Sequence, residues 1–456
     1  MMRGYLWMSV AVLFLALPSL SAQALTSPAE PWLSGATNSA DQKDKKNEFQ
    51  SCFDYYRFGS TPTIISSDLT SVSQGSHISF AGTLLNENQY PVTDMKIYVK
   101  IFHNRNPGVK DSFGPDIVDW YLIEDDISLE AGESHPFSTV WQVPREATPG
   151  EYRVATFVVA HDRFNMAGLS FTNDIVSGNY IFHVVGGGSG NAHFDIRQTT
   201  IGGQALHAAA YSPRIPITSE GANAFVNIQN PSEGRFEGKV VWKLYAWDTA
   251  LESNLIETKE EPITVGPGGN VMLQYIISDH KKTVYDLVGE IVPNKEGQSK
   301  SFVNIRFVSD APAIPRINFA GTTGYPGEVA TEVFACIHST GTKEADNVRL
   351  ELVATSNSIL DFFMGKRILA TEKFEGTAPG SVVAFAAPLV RASDSYTVRA
   401  KLYQNEVLID DVSVPFECAA FSESCLPSTM SNALLGVAVI LIIGGALYIL
   451  RRKKII

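Results

Sequence analysis

From residue 62 to residue 417, apolar side chains recur at every second position in short runs, each cut off by Gly, Pro, Asn or Asp. Met95-Lys96-Ile97-Tyr98-Val99-Lys100-Ile101 and Lys239-Val240-Val241-Trp242-Lys243-Leu244-Tyr245 are examples. A period of two puts one face of a strand into a core and the other into water, which predicts antiparallel sheet. No long segment here keeps a helical period. Two almost wholly apolar runs lie outside the region, Leu6–Leu17 and Ala433–Leu450.

Aligning the runs exposes a threefold repeat. One strand begins at Gln74-Gly75-Ser76, at Glu220-Gly221-Ala222 and at Pro326-Gly327-Glu328. Turns follow at Asn86-Glu87-Asn88, Asn230-Pro231-Ser232 and Ser339-Thr340-Gly341, and then a second strand at Met95, Lys239 and Val348. Later in each unit comes a Gly-bearing turn (Gly132, Gly268, Gly380). A tyrosine then opens a late strand at Tyr152, Tyr285 and Tyr396. About seven strands per unit of this size is the pattern of an immunoglobulin-like sandwich, and a tyrosine opening the sixth strand fits the tyrosine corner of such folds.

On those residues the chain resembles the tandem surface sandwiches of bacteria and archaea, of the fibronectin type III and CARDB kind. The expected fold class is all-β: three tandem immunoglobulin-like antiparallel β-sandwiches plus one C-terminal transmembrane helix. The sandwiches are placed at 61–186, 194–309 and 316–418. The Gly-rich 187–193 is read as a flexible linker and the Pro-rich 310–315 as a stiffer one. Residues 25–60 are polar and mixed in charge, and are read as a flexible leader.

The ends add a location. Arg3, the apolar run and Ala22-Gln23-Ala24 have the order of a signal peptide, 1–24. The run 433–450 is long enough, as a helix, to approach the thickness of a bilayer, and Arg451, Arg452, Lys453 and Lys454 follow it. Cations stay inside, so the expectation is a single-pass membrane protein with an extracellular ectodomain, a juxtamembrane segment at 419–432 and a basic tail at 451–456. Leu426-Pro427-Ser428-Thr429 ahead of that run resembles a sortase sorting signal. Met430 stands where the family has glycine. The resemblance implies cleavage after Thr429 and transfer to the cell wall.

Composition narrows the chemistry. A net charge of −12 argues against a nucleic-acid partner. Four cysteines, Cys52, Cys336, Cys418 and Cys425, have no metal-ligand spacing, and in an oxidising exterior they are candidates for disulfides. The close pair Cys418 and Cys425 is favoured, with Cys336 and Cys418 competing. No nucleophile elbow, zinc motif or phosphate loop occurs, so no enzyme activity and no cofactor or metal are expected. His103 and His161 are read as surface or loop residues. Asp116, Asp119, Glu124, Asp125 and Asp126 are read as a solvated acidic edge.

The first unit differs from its siblings by an insertion, Asn104 to Pro115, and a long late loop, Asp162 to Ser177. Long polar-aromatic loops on a rigid sandwich are where binding resides. The candidate recognition residues are Asn104, Arg105, Lys110, Phe113, Trp120, Tyr121, Arg163, Phe164 and Phe171. The expected function is non-enzymatic adhesion, envelope architecture or partner recognition. The expected partners are the cell membrane and an extracellular protein or glycan. The first sandwich is the head of a rod and the other two its stalk. An accessory subunit of a membrane secretion or surface-polymer machine is the alternative.

Overall fold

The computed structural model describes residues 50–51, 61–88, 90–104, 116–160, 163–164, 178–188, 190–205, 221–246, 250–278, 284–308, 314–323, 330–338, 344–378, 382–390 and 395–417. They form an all-β protein. After β1 (Gln50–Ser51), a first stretch carries β2 (Thr63–Ser66), β3 (Ser71–Ser73), β4 (His77–Leu85), β5 (Val92–Asn104) and β6 (Asp116–Leu129). It continues with β7 (Ser134–Gln142), β8 (Gly150–Ala160), β9 (Arg163–Phe164) and β10 (Gly178–Val185). The second carries β11 (His193–Ile201), β12 (Gln204–Ala205), β13 (Ala222–Gln229), β14 (Phe236–Ala246), β15 (Leu255–Val265), β16 (Asn270–Ile277), β17 (Val284–Pro293) and β18 (Ser301–Val308). The third carries β19 (Arg316–Thr322), β20 (Glu332–His338), β21 (Ala345–Ser356), α1 (Ile359–Phe363), β22 (Ile368–Ala378), β23 (Val382–Pro388), β24 (Ser395–Gln404) and β25 (Val407–Glu417).

The three stretches share one wiring. The sheet orders β2-β4-β7, β11-β13-β16 and β19-β20-β23 correspond strand for strand, and so do β6-β5-β8-β10, β15-β14-β17-β18 and β22-β21-β24-β25. The repeat read in the sequence therefore repeats in space: its first strands are β4, β13 and β20, and its tyrosines open β8, β17 and β24. Alternation does the work expected of it, since β4 turns Ile78, Phe80 and Leu84 inward with polar neighbours outward. In the second stretch Phe194, Val226 and Tyr275 of one sheet share a core with Trp242, Leu287 and Ile305 of the other.

Turn residues are more deeply involved than their polarity suggests. Asn86 is fully buried, and its Nδ2 donates to the carbonyls of Tyr90, Leu129 and Glu130. Asn230, at the same place in the second repeat, donates to Gly234, Val265 and Gly266. Each amide satisfies carbonyls in two loops at once, as a buried polar group must. The tyrosine corner is present in the first stretch, where the Tyr152 hydroxyl donates to the Thr148 carbonyl at 2.7 Å.

Long-range connections alter the expected arrangement. Strand β6 pairs with β18 at Ile117 and Phe302, which joins the first two stretches in a continuous ten-stranded sheet. Strand β1 lies antiparallel to β23, with Gln50 opposite Ala384. From Ser51 the chain reaches Thr61 in ten steps, at most about 36 Å. One buried apolar cluster also takes in both the first and the third stretch. A straight rod with the first sandwich farthest from the third does not meet these constraints.

The expected location is corrected here. A spanning helix needs about 20 consecutive residues. Among the described residues the α-helix is α1, five residues long, and no helix is long and apolar enough to cross a membrane. The single-pass placement with its extracellular ectodomain is therefore not what the structure supplies. Residues 1–24, 419–432, 433–450 and 451–456, and with them the sorting residues Leu426, Pro427, Ser428 and Thr429, lie outside the described residues. Cys418 and Cys425 do too. Cys336 is buried on β20 and disulfide-bonded, so its partner is one of Cys52, Cys418 and Cys425.

Candidate functional site: the cleft between the first two sandwiches

The outer face of β5 and β8 would be expected to meet water. Instead it carries a small apolar cluster of Phe102, Ala155 and Phe157, with Tyr98 and Ile117 against it. Lys100 is buried among these rings, its Nζ 4.0 Å from the centroid of Trp120 and 5.0 Å from that of Phe157. Trp120 meets Phe302 of the second sandwich edge to face at 6.3 Å. An ammonium against two aromatic faces is favourable once water is excluded.

Polar contacts fix the same junction. The Glu146 carboxylate pairs with Lys295 and accepts from Gln298 Nε2 at 3.0 Å, while its backbone N–H donates to Gly297. Lys295 holds the Glu146 carboxyl below its ordinary range. The glycines between the sandwiches are packed. A Cβ on Gly186 would fall 1.9 Å from Gln74 Oε1, one on Gly188 2.5 Å from Gln74 Nε2, and one on Gly190 2.6 Å from Thr148 Oγ1. Close approach of the chain is the reason for glycine at these positions.

Beside this junction lies a cleft of about 480 Å³. From the first sandwich come His103, Asn104, Asp116 and the Thr148–Tyr152 corner, and from the second Asn191, His193, Pro231 and Ser299 to Ser301. The corner itself is braced: Tyr152 is held by its bond to Thr148, and its ring lies 4.8 Å from that of His103. Burial pushes the Tyr152 phenol well above its ordinary range, so it stays neutral. Asn104 Nδ2 donates to Glu151, and Lys300 pairs with Glu290. Asn191 is different. It is only 7 % exposed, and neither Nδ2 nor Oδ1 has a hydrogen-bond partner.

Among the expected recognition residues, Asn104 lines this cleft. The insertion after it leaves β5 at Asn104 and re-enters β6 at Asp116, and both ends lie on the cleft. Arg105, Lys110, Phe113 and Phe171 lie outside the described residues. Trp120 and Tyr121 sit within β6: Trp120 packs the junction, and the Tyr121 hydroxyl bonds Thr139 Oγ1 at 3.2 Å. Arg163 and Phe164 form β9, paired with Ala160 and Val159 at the far end of β8 from Gly150. The roots of the two long loops lie apart along β8: Asn104 is opposite Glu151, whereas β9 pairs with Ala160 and Val159 and Gly178 is opposite Thr156.

Two expectations are corrected. His103 is buried in the cleft wall, because a Cβ on Gly150 would be 3.1 Å from its Nε2 and β8 closes over it. His161 lies outside the described residues. The acidic stretch is not uniformly solvated: Asp119 is half-buried, accepts Trp141 Nε1 at 3.0 Å and the Trp120 N–H, and has its carboxyl pushed up by burial. Glu124 bonds His135 at 2.9 Å. No group of ligands suited to a metal occurs among the described residues. Asn191 was not visible in the sequence, where it reads as the end of a Gly-rich linker.

No protein-family model and no curated protein matches the chain. Solved structures similar to it include trypsin-activated alpha-2-macroglobulin from Escherichia coli, at 11% identity over 79% of this chain and 24% of that one, with a TM-score of 0.26. Salmonella alpha-2-macroglobulin reacted with methylamine gives 9% identity over 82% and 24%, with a TM-score of 0.28. Red sea bream transglutaminase gives 11% over 48% and 31%, with a TM-score of 0.21. The chain spans 24% of either macroglobulin. Likenesses this distant assign neither family nor activity.

Proposed function

We propose that this chain is a non-enzymatic recognition protein. Its stretches 61–186, 194–309 and 316–418 are three immunoglobulin-like domains, and its ligand site is the cleft between the first two. Several polar groups around the cleft are already engaged within their own sandwich: Tyr152 to Thr148, Asn104 to Glu151, Lys300 to Glu290. Groups so engaged position a ligand's surroundings and are poor candidates for proton transfer.

The observation that carries the reading is Asn191. A buried carboxamide with both ends unmet costs about 1–3 kcal/mol per group. A ligand that donates and accepts side by side would remove that cost. The N–H and C=O of one residue in an extended peptide do so, which favours a protein segment over a glycan as the partner.

The test is an immobilised peptide array probed with the full chain and with Asn191→Leu. The expected outcome is peptide binding by the wild type that is lost in N191L, whose stability to urea is equal or higher because an unmet amide has been removed. Equal binding by both proteins, or binding of oligosaccharides only, would reject the site or the ligand class.

A further inference from the structure

The third sandwich ends in an apolar tip that the described residues leave exposed. Within ten residues, Ile359, Phe362, Phe363, Met364 and Ile368 are 45, 59, 76, 49 and 53 % exposed. Val390 joins them, 74 % exposed, its N–H donating to the Leu369 carbonyl. Large apolar side chains gathered on one surface mark an interaction site.

The tip is built, not frayed. Phe362 N–H donates to Ser358 and Lys366 N–H to the Asp361 carbonyl, while Gly365 turns the chain at φ +68°. The rings of Phe362 and Phe363 stand edge to face at 5.6 Å. Charge is sorted around it. Asp361, the acid of the helix, is buried and receives the Ser356 hydroxyl at 2.5 Å. Lys366 and Arg367 are exposed, with the Arg367 guanidinium 5.5 Å from the Phe362 centroid.

We infer that this tip, α1 with the turn through Ile368, inserts into the surface of an anionic lipid bilayer. A convex apolar projection needs a matching hollow in a protein partner, whereas acyl chains conform to it. Exposed cations beside an apolar tip match anionic headgroups, and phenylalanine with basic neighbours is the pattern of interfacial insertion. The net charge of −12 opposes approach only weakly, because screening limits the reach of each charge to about 8 Å at physiological salt and leaves the cations beside the tip to act at contact. This surface contact requires no spanning helix.

The test is hydrogen–deuterium exchange of the full chain, read on the segment 357–369, with vesicles of phosphatidylcholine alone or with added phosphatidylserine. Exchange should slow on the order of tenfold with phosphatidylserine present and less without it. Phe362→Ser with Phe363→Ser should abolish the protection on either vesicle, and Lys366→Glu with Arg367→Glu should abolish the gain from phosphatidylserine. An unchanged segment 357–369 on both vesicles would overturn the inference. Protection without vesicles would overturn it as well: if it rises with protein concentration a second copy covers the tip, and if it does not, the chain's own apolar run 433–450 does.

Discussion

The junction of the first two sandwiches and the tip of the third invert the usual rule in opposite directions. At the junction a lysine and an asparagine are removed from water and Asp119 is half-buried. At the tip five large apolar side chains are left in it. The alternation of the strands would expose Lys100, and the tip, in α1 and the turn after it, has no strand period to follow. Apart from Asn191, the groups named at the junction are met internally, with rings around Lys100 and indole and backbone donors on Asp119. The described residues leave the tip exposed, and a lipid surface is its proposed complement. Interior exceptions thus describe how the molecule is held, and surface exceptions describe what it meets.

The largest break in this comparison should come from Phe302→Ala, which removes the ring that meets Trp120. Unfolding in urea should show a loss of about 3 kcal/mol, whereas a purely loose joint would lose almost nothing. Gly186→Ala should follow, at about 2 kcal/mol, since the new methyl meets Gln74. Gln74→Ala in the same chain should recover part of that loss.

Asp119 sharpens the comparison through pH. Burial raises its carboxyl above the ordinary range, so the folded chain holds that proton more tightly than the unfolded one. Its stabilising share is complete below the ordinary carboxylate pKa and is lost as pH rises through the raised value. Relative to Asp119→Asn, the wild type should therefore gain stability between about pH 7 and about pH 4. Midpoints in urea at the two pH values check this, and a parallel pair of curves would contradict it.

Glu146→Gln should cost less, about 0.5 kcal/mol, because its pair with Lys295 is exposed and screened; added salt should erase the difference. Smallest of all, the serine pair at Phe362 and Phe363 should shift stability by under about 0.5 kcal/mol, since neither ring is buried by the fold. A large loss there would mean that the tip is part of a core after all.

Much of the fold was legible in the chain. The period of two, the turns at Asn86 and Asn230 and the tyrosines at 152, 285 and 396 located corresponding strands in all three repeats. Such signals are local: they follow from alternation along a strand and from the backbone demands of a turn. The site was legible only at Asn104, where an insertion interrupts the repeat. Asn191 and the tip at 359–368 left no comparable mark, the first because it reads as linker and the second because apolar residues in a repeat unit read as core.

The sequence by itself determined that this is an all-β chain and which positions along each strand share a face. Only the tertiary structure decided that β6 joins β18, that β1 joins β23, that Lys100 is covered and that Phe363 is not. Those outcomes depend on which surfaces of separate sandwiches come together. That choice is set by complementarity between residues on different strands, up to several hundred positions apart, and no local period encodes it.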